Sequence, residues 1–380
     1  MSLLYLIEAL DKQRYEPSVL FLYDSEIIEL YRQKGITVYG PTGTNDFPHT
    51  KIWWHRWYHV HHFFVAVASF IKTVFFTAPA WYSRINPDIV HLNTSSLIAW
   101  GIVAYRLKIP IIWHIREPLA AGYIGLRRLF IKKIIARCAT TIVPISHHDA
   151  APWKELAKTQ VVYNAVKEDF FNAASVIDVH HVDHRPTILF LGGLNEEKGT
   201  LIILKAFACM RARVPHARLW IAGYFDTTVH TPFSFSYYRP QERYKRAVLQ
   251  IIEQCGDAIT LLGAIRDVPT IMALSDVVVF PAPVGHFARP VIEAGFMKKP
   301  VVASACAPLD ELIVHEQTGF LIDVCNIQGW ADALERLCID KNMNKAMGAA
   351  AYEYCRQRFD LKQQLVVIEH LYERLLCSQR

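Results

Sequence analysis

The sequence predicts an α/β protein made of two doubly wound, parallel-sheet domains facing across a cleft. Three observations carry that prediction. Short apolar runs of strand length alternate with segments of helical spacing along almost the whole chain. At 380 residues the chain is too long for one ordinary core, so two domains are expected. Finally, the polar, aperiodic stretch VIDVHHVDHRP (Val176 to Pro186) separates two such alternating series.

In the first series, residues 1–175, helical spacing covers Met1 to Leu10 and Ser25 to Gln33, the latter closed by Gly35. Strands are expected at Val19 to Leu22, Ile36 to Val38, Asp88 to Leu92, Ile109 to His114, Thr140 to Pro144 and Val161 to Tyr163. Ser95 to Leu107 and Gly125 to Cys138 read as the helices between them. Residues 176–186 are the linker. The second series, 187–358, begins with a strand at Thr187 to Gly192. It continues with strands at Arg218 to Ala222, Ile259 to Leu262, Val277 to Phe280, Val301 to Ala303 and Phe320 to Ile322. Tyr224 to Tyr244 is a polar-aromatic insertion without period. Helices are expected at Lys341 to Arg358 and at Leu361 to Leu376. Residues 359–380 are expected to pack back toward the first domain.

Composition removes several classes. Hydrophobic content of 52% is high, yet no charge-free run reaches the roughly 18 to 20 residues that a membrane span needs. His62 to Ala78 comes nearest and is interrupted by Lys72. The start shows no secretory signal pattern. The 8 cysteines lack paired spacing, which argues for reduced thiols and against a zinc site. A net charge of +6 suits an anionic substrate or lipid surface and does not call for nucleic acid.

The densest chemistry lies in Val277 to Ala305. An apolar strand leads through a loop with Pro281 and Pro283 into a short helix opened by Pro290 and carrying Glu293. Such a loop and helix N-terminus sit at the carboxyl edge of a parallel sheet, where phosphates bind. A carboxylate at Glu293 repels phosphate and suits a hydroxyl pair such as a ribose.

Motifs in a consistent order then resemble the retaining, GT-B-fold glycosyltransferases of family four, the glycosyl transferases group 1. They are VVYNAV (Val161 to Val166), FLGGLNEEKGTLIILKAF (Phe190 to Phe207), LWIAG (Leu219 to Gly223), ITLLGAIRDVPTIMALSDVVVFPA (Ile259 to Ala282), FARPVIEAGFMKKPVVAS (Phe287 to Ser304) and HEQTGFLI (His315 to Ile322). WHIREP (Trp113 to Pro118) and IVPIS (Ile142 to Ser146) extend the match, more loosely, into the first half. The resemblance implies two Rossmann-like domains and transfer of a hexose-type sugar, with retention, from a nucleotide-diphosphate sugar to a polysaccharide, glycolipid or lipid-linked acceptor. It implies neither cofactor nor metal, since protein cations and amides replace the divalent ion.

Residue by residue, the resemblance makes Glu293 the donor-ribose carboxylate and Lys198 the diphosphate cation. His286, Phe287, Ala288, Arg289 and Pro290 form the segment meeting the donor sugar and diphosphate. Gly192 and Gly193 form the close-approach loop, and Glu311 stands in the Pro-Glu region of the donor side. His114 stands near the transferred sugar, and Arg116, Glu117 and Asn164 line the acceptor side. Lys198, Arg289 and His114 are the catalytic candidates.

The departures are as specific. Family members carry two glutamates eight positions apart, and here the first position is Gly285. They carry arginine where this chain has Gly193, so Arg289 is read as a replacement cation. SLLYLIEAL resembles the family's first helix without the strand and glycine-rich loop that precede it. Loss of that strand would leave two neighbouring strands with unpaired backbone. The chain then either starts upstream or is a shortened relative.

A non-catalytic GT-B scaffold and a sugar-nucleotide epimerase are the alternatives, the latter lacking a recognisable carboxylate and histidine set. The histidine-aromatic run (His55, His59, His61 and His62, among Trp53, Trp54, Trp57, Phe63 and Phe64) lacks the partner ligands of a metal site. With Lys51, Arg56 and Lys72 it suits a lipid face instead, as do Arg127, Arg128, Lys132, Lys133 and Arg137. The expected location is cytoplasmic, peripheral on the inner face of an anionic membrane.

Overall fold

A computed structural model describes residues 2–44, 60–119, 125–167, 185–225 and 235–377. The linker and most of the histidine-aromatic run therefore lie outside the described residues. The chain forms two compact units, Met1–Ala165 with Leu361–Arg380, and Val166–Asp360.

The first unit begins with α1 (Ser2–Ala9), β1 (Ser18–Leu20), α2 (Ile27–Gln33) and β2 (Thr37–Tyr39). One continuous helical stretch follows: α3 (Val60–Lys72), a π-helical turn (Thr73–Thr77) and α4 (Ala78–Ile85). At the π turn, the Thr73 hydroxyl donates to the Ser69 carbonyl at 2.7 Å, the back-bonding that loosens a helix ladder. Asn86 in left-handed conformation (φ 48°) stops the stretch. Next come β3 (Val90–Leu92), α5 (Ile98–Arg106), β4 (Ile111–Ile115), α6 (Leu126–Cys138), β5 (Thr141–Pro144) and α7 (His147–Ala150). Every residue of β4 is buried, as expected of a parallel strand covered on both faces.

The faces of β4 separate the helices. Ile112 packs with Leu6 of α1 and with Ile368 and Leu371 further on. Its neighbours Ile111 and Trp113 pack with Tyr82 and Trp100 of α4 and α5. The strands of this unit form two separate parallel sheets, β1-β2 and β3-β4-β5. A cavity of about 540 Å³ lies between them, lined by all three residues of β1 and all three of β3.

The second unit runs β6 (Thr187–Phe190), α8 (Thr200–Arg211), β7 (Arg218–Ala222), α9 (Phe235–Cys255), β8 (Ile259–Gly263), α10 (Val268–Ala273), β9 (Val277–Phe280), α11 (Arg289–Phe296), β10 (Val301–Ser304), β11 (Gly319–Ile322), α12 (Ile327–Ile339) and α13 (Lys341–Arg358). Its six strands lie in the order β11-β10-β9-β6-β7-β8, all parallel. The chain starts in the middle at β6, winds outward to β8, then returns to β9 and winds the other way. The switch point falls between β6 and β9, where their outgoing loops diverge. Phe190, Ile203, Phe207, Leu219, Val279 and Trp330 are all buried in one cluster that fixes these two strands. The last helix, α14 (Leu361–Cys377), belongs to the first unit.

Two expectations are corrected. Val161 to Tyr163 forms no strand: it runs beside β5, with Val162 N–H donating to the Pro144 carbonyl at 3.0 Å, and goes no further. Of the segment read as an aperiodic insertion at Tyr224 to Tyr244, residues 226–234 lie outside the described residues and residues 235–244 are helical, the start of the 21-residue α9. Its C-terminal half carries Val248 into the core, and that half had to be joined to the aromatic part for the period to emerge.

Candidate functional site

In the second unit, the two loops at the switch point carry the charged side chains. The loop after β6 holds Gly192 and Gly193 and ends in a 3₁₀ turn, Glu196–Lys198. Asn195 caps that turn, its side chain accepting from the Glu197 N–H at 2.8 Å. Gly199 must be glycine: φ is +82°, and a Cβ would sit 1.9 Å from the Pro281 carbonyl oxygen. The β6 and β9 loops are thereby held against each other. This contact aims Lys198 at the β9 loop, where its Nζ lies 3.1 Å from His286 Nε2.

His286 Nδ1 lies 3.2 Å from the Val284 carbonyl, and its ring rests on Phe280 with centroids 5.1 Å apart. A proton on Nδ1 serves the carbonyl and leaves Nε2 to accept from the Lys198 ammonium. Burial lowers Lys198 below its ordinary value, with Glu197 opposing. Burial and then the Lys198 charge lower His286 as well. The arrangement is a partly dehydrated cation held by a neutral imidazole, which an incoming anion can readily draw away.

Phe287 and Ala288 are buried and lead into α11, whose first turn holds Arg289 and Pro290. Glu293, one turn on, is 7% exposed. Arg289 Nε donates to Glu293 Oε1 at 2.7 Å across the i,i+4 spacing. Burial raises the Glu293 carboxyl above 4.5, and the Arg289 charge and hydrogen bond oppose that. Arg289, expected as a replacement for the cation missing at Gly193, is engaged with Glu293. Glu311 ends a 3₁₀ turn after β10, and its carbonyl accepts from the Tyr354 hydroxyl at 2.9 Å.

The two departures have steric reasons. Gly193 has φ +61°, and a Cβ would lie 2.3 Å from the Tyr224 carbonyl oxygen. A Cβ on Gly285 would lie 1.9 Å from the Ala307 carbonyl oxygen. Neither an arginine nor a glutamate fits there without moving backbone.

In the first unit, His114 is 3% exposed near the end of β4. Its Nδ1 lies 3.0 Å from His91 Nε2, and His91 Nδ1 lies 2.8 Å from the Tyr372 hydroxyl. Arg116 donates from Nε to Asn93 Oδ1 at 2.7 Å and from a terminal nitrogen to Asn164 Oδ1, and approaches His114 Nδ1 at 3.5 Å. Glu117 Oε1 accepts from the Thr94 hydroxyl and from both the N–H and hydroxyl of Ser95, at 2.6 to 2.7 Å. Burial takes His91 down to about 3 and His114 well below 6.5, with the Arg116 charge adding to both. Burial takes Arg116 down to about 10, Glu117 opposing, so it stays charged at neutral pH. His91 and Tyr372, missed by sequence reasoning, complete this network. Among the described residues no group of three or more metal-ligating side chains gathers.

Residues 177–354 match the family model described as glycosyl transferases group 1. A "GDP-mannose-dependent alpha-(1-6)-phosphatidylinositol monomannoside mannosyltransferase" of Mycobacterium tuberculosis is 27% identical over 186 residues, 46% of this chain and 44% of that protein. A "UDP-Gal:alpha-D-GlcNAc-diphosphoundecaprenol alpha-1,3-galactosyltransferase" of Escherichia coli is 25% identical over 282 residues, 68% of each. The match spans less than half the length of the first of these relatives. Among solved structures, Anabaena Alr3699/HepE in complex with UDP superposes with a TM-score of 0.75, covering 98% of this chain and 95% of that one. At 18% identity, that likeness is one of fold.

Proposed function

We propose that this chain, a GT-B-fold protein whose residues 177–354 match the family model of the glycosyl transferases group 1, moves a hexose-type sugar from a nucleotide-diphosphate sugar to a carbohydrate or lipid-linked acceptor. One observation carries the reading. At the switch point between β6 and β9, the ammonium of Lys198 and the ion pair that opens α11 stand on neighbouring loops. Both loops sit where open α/β sheets bind nucleotides.

In this reading the diphosphate takes Lys198 from His286, and the α11 amides face the same anion. Charge builds on the leaving diphosphate as the glycosidic bond breaks, so a fixed cation speeds the step more than a strong base would. Glu293 holds the ribose hydroxyls, and Arg289 keeps that buried carboxylate ionised while lending charge to the phosphates. Protein cations do this work without a metal, and the configuration is retained. Asn93 and Asn164 fix Arg116 on the acceptor side, with His114 Nδ1 3.5 Å from its guanidinium.

The acceptor surface suits a membrane. Phe64, Phe75 and Phe76 of the long helix and Leu126, Leu129 and Phe130 of α6 are exposed, beside exposed Lys72, Arg128, Lys132 and Lys133. Phe64–Ile85 is long and apolar enough to cross a bilayer by length and composition, with 17% of it buried. We assign it to the surface of the inner leaflet, because charged Lys72 interrupts it and its outer face continues in the exposed basic residues of α6. The lipid acceptor in the mycobacterial relative's name fits that assignment.

Incubation with a panel of UDP- and GDP-sugars in excess chelator tests the proposal. Release of nucleoside diphosphate that needs Lys198 supports it, and a metal requirement contradicts the metal-free step. Binding without release would favour the second reading, a GT-B scaffold, which the crowding at Gly193 and Gly285 recommends.

A further inference from the structure

In the first unit the half-buried guanidinium of Arg116 has no carboxylate in contact with it. Its Nε donates to Asn93 Oδ1 at 2.7 Å, one terminal nitrogen donates to Asn164 Oδ1, and the other lies 3.5 Å from His114 Nδ1. All three partners are neutral. Glu117, the next residue, gives Oε1 to Thr94 and Ser95 and acts on Arg116 only through space. A cation drawn out of water in this way calls for a counter-charge, and among the described residues none touches it.

A second donor beside Arg116 is also unused. A guanidinium can only donate, so His114 Nδ1 accepts. His91 Nε2, 3.0 Å away, then carries the proton of its contact with Nδ1, and the Tyr372 hydroxyl donates to His91 Nδ1 at 2.8 Å. Burial and the Arg116 charge keep both rings neutral. The single proton of His114 therefore sits on Nε2, which is buried and has no partner among the described residues. A buried donor left so is costly unless a ligand oxygen meets it.

We propose that Arg116 and His114 form an oxyanion site, and that the acceptor carries a phosphate or carboxylate group besides the hydroxyl that is glycosylated. The assignment deepens the transferase reading above and rests on it. A guanidinium fork matches two oxygens of either group and supplies the charge. Asn93 and Asn164 hold the fork in place before any ligand arrives, which lowers the cost of binding. Thr94 and Ser95 keep Glu117 from closing on Arg116 and filling the site itself. A neutral glycan brings no charge and leaves the guanidinium unbalanced.

The test uses the full chain with Lys198→Met, so that anion binding no longer reports the donor-side cation. Glycerophosphate, glycerate and glycerol are the probes, followed by calorimetric titration and by the ring-nitrogen chemical shifts of His114. At least one of the two anions should bind saturably, glycerol should not, and the His114 Nε2 signal should move with the same midpoint. The tighter of the two anions tells an acceptor phosphate from an acceptor carboxylate. Arg116→Gln should weaken that binding roughly 10-fold or more. Unchanged binding in Arg116→Gln overturns the proposal, and so does a His114 signal that responds to neither anion, a readout that stands even where Arg116→Gln fails to fold. Nucleotide-sugar binding by the parent chain without anion binding in the variant sinks the oxyanion site and spares the transferase reading. Anion binding without any nucleotide-sugar binding removes the site's role in holding an acceptor.

Discussion

Lys198 Nζ stands 3.1 Å from His286 Nε2, although the two residues are 88 positions apart. The contact exists because β6 and β9 are neighbours in the sheet and Gly199 lets their loops touch. A charge-assisted hydrogen bond to phosphate is worth roughly 1.5–3 kcal/mol. Lys198→Met should therefore weaken nucleoside-diphosphate binding by roughly 10- to 150-fold. His286→Ala should weaken it far less, since the imidazole only holds the cation in place. Calorimetric titration with UDP and GDP checks both, and equal losses would show that His286 itself meets the ligand.

Arg289 and Glu293 yield a pH signature. Burial raises the Glu293 carboxyl and Arg289 opposes this, so removing Arg289 raises it further. A folded state that holds its proton more tightly than the unfolded chain loses stability as pH rises. Arg289→Ala should thus show a Tm that falls from about pH 4.5 upward, more steeply than the parent. Glu293→Gln in the same background should remove the slope. A parallel pair of profiles would mean that the ion pair is energetically silent.

The glycines at 193 and 285 predict the failure of a restoration experiment. Gly285→Glu brings a Cβ against the Ala307 carbonyl, and Gly193→Arg brings one against Tyr224 from a left-handed backbone. Each should cost at least ~1–3 kcal/mol of stability and leave donor affinity no better. Thermal melts with donor titrations check this, and a stable variant with tighter binding would contradict it.

His91 and His114 predict acid sensitivity. Both are held neutral in the fold, while their unfolded counterparts take up protons near 6.5. Stability should be complete above that value and drain away as pH falls from 6.5 toward 3. His91→Gln should flatten the low-pH limb of the unfolding profile. An unchanged limb would place the sensitivity elsewhere.

Much of the second unit was legible because its strands are short valine-rich runs with turn residues at both ends, as in Val277 to Phe280. Glu293 was legible from its place one turn into a helix opened by Pro290. The pairing of Arg289 with Glu293 is available from i,i+4 spacing alone. Other features depended on tertiary placement. His91, His114 and Tyr372 meet only when β3, β4 and α14 are assembled, and no local pattern announces it. The reason for Gly285 lies in the position of Ala307, on a different loop. Helix α9 was missed because Pro240 and a cluster of aromatics hide the period in its first turns.

The central claim is that the β6–β9 switch point binds a nucleotide-diphosphate sugar through Lys198. Isothermal titration of the intact chain with matched UDP- and GDP-sugars, in chelator, measures it most directly. The account predicts saturable binding of at least one donor, weakened roughly 10-fold or more by Lys198→Ala in line with a lost charge-assisted contact. Binding of equal strength in Lys198→Ala, or no binding of any donor by the parent chain, would contradict it.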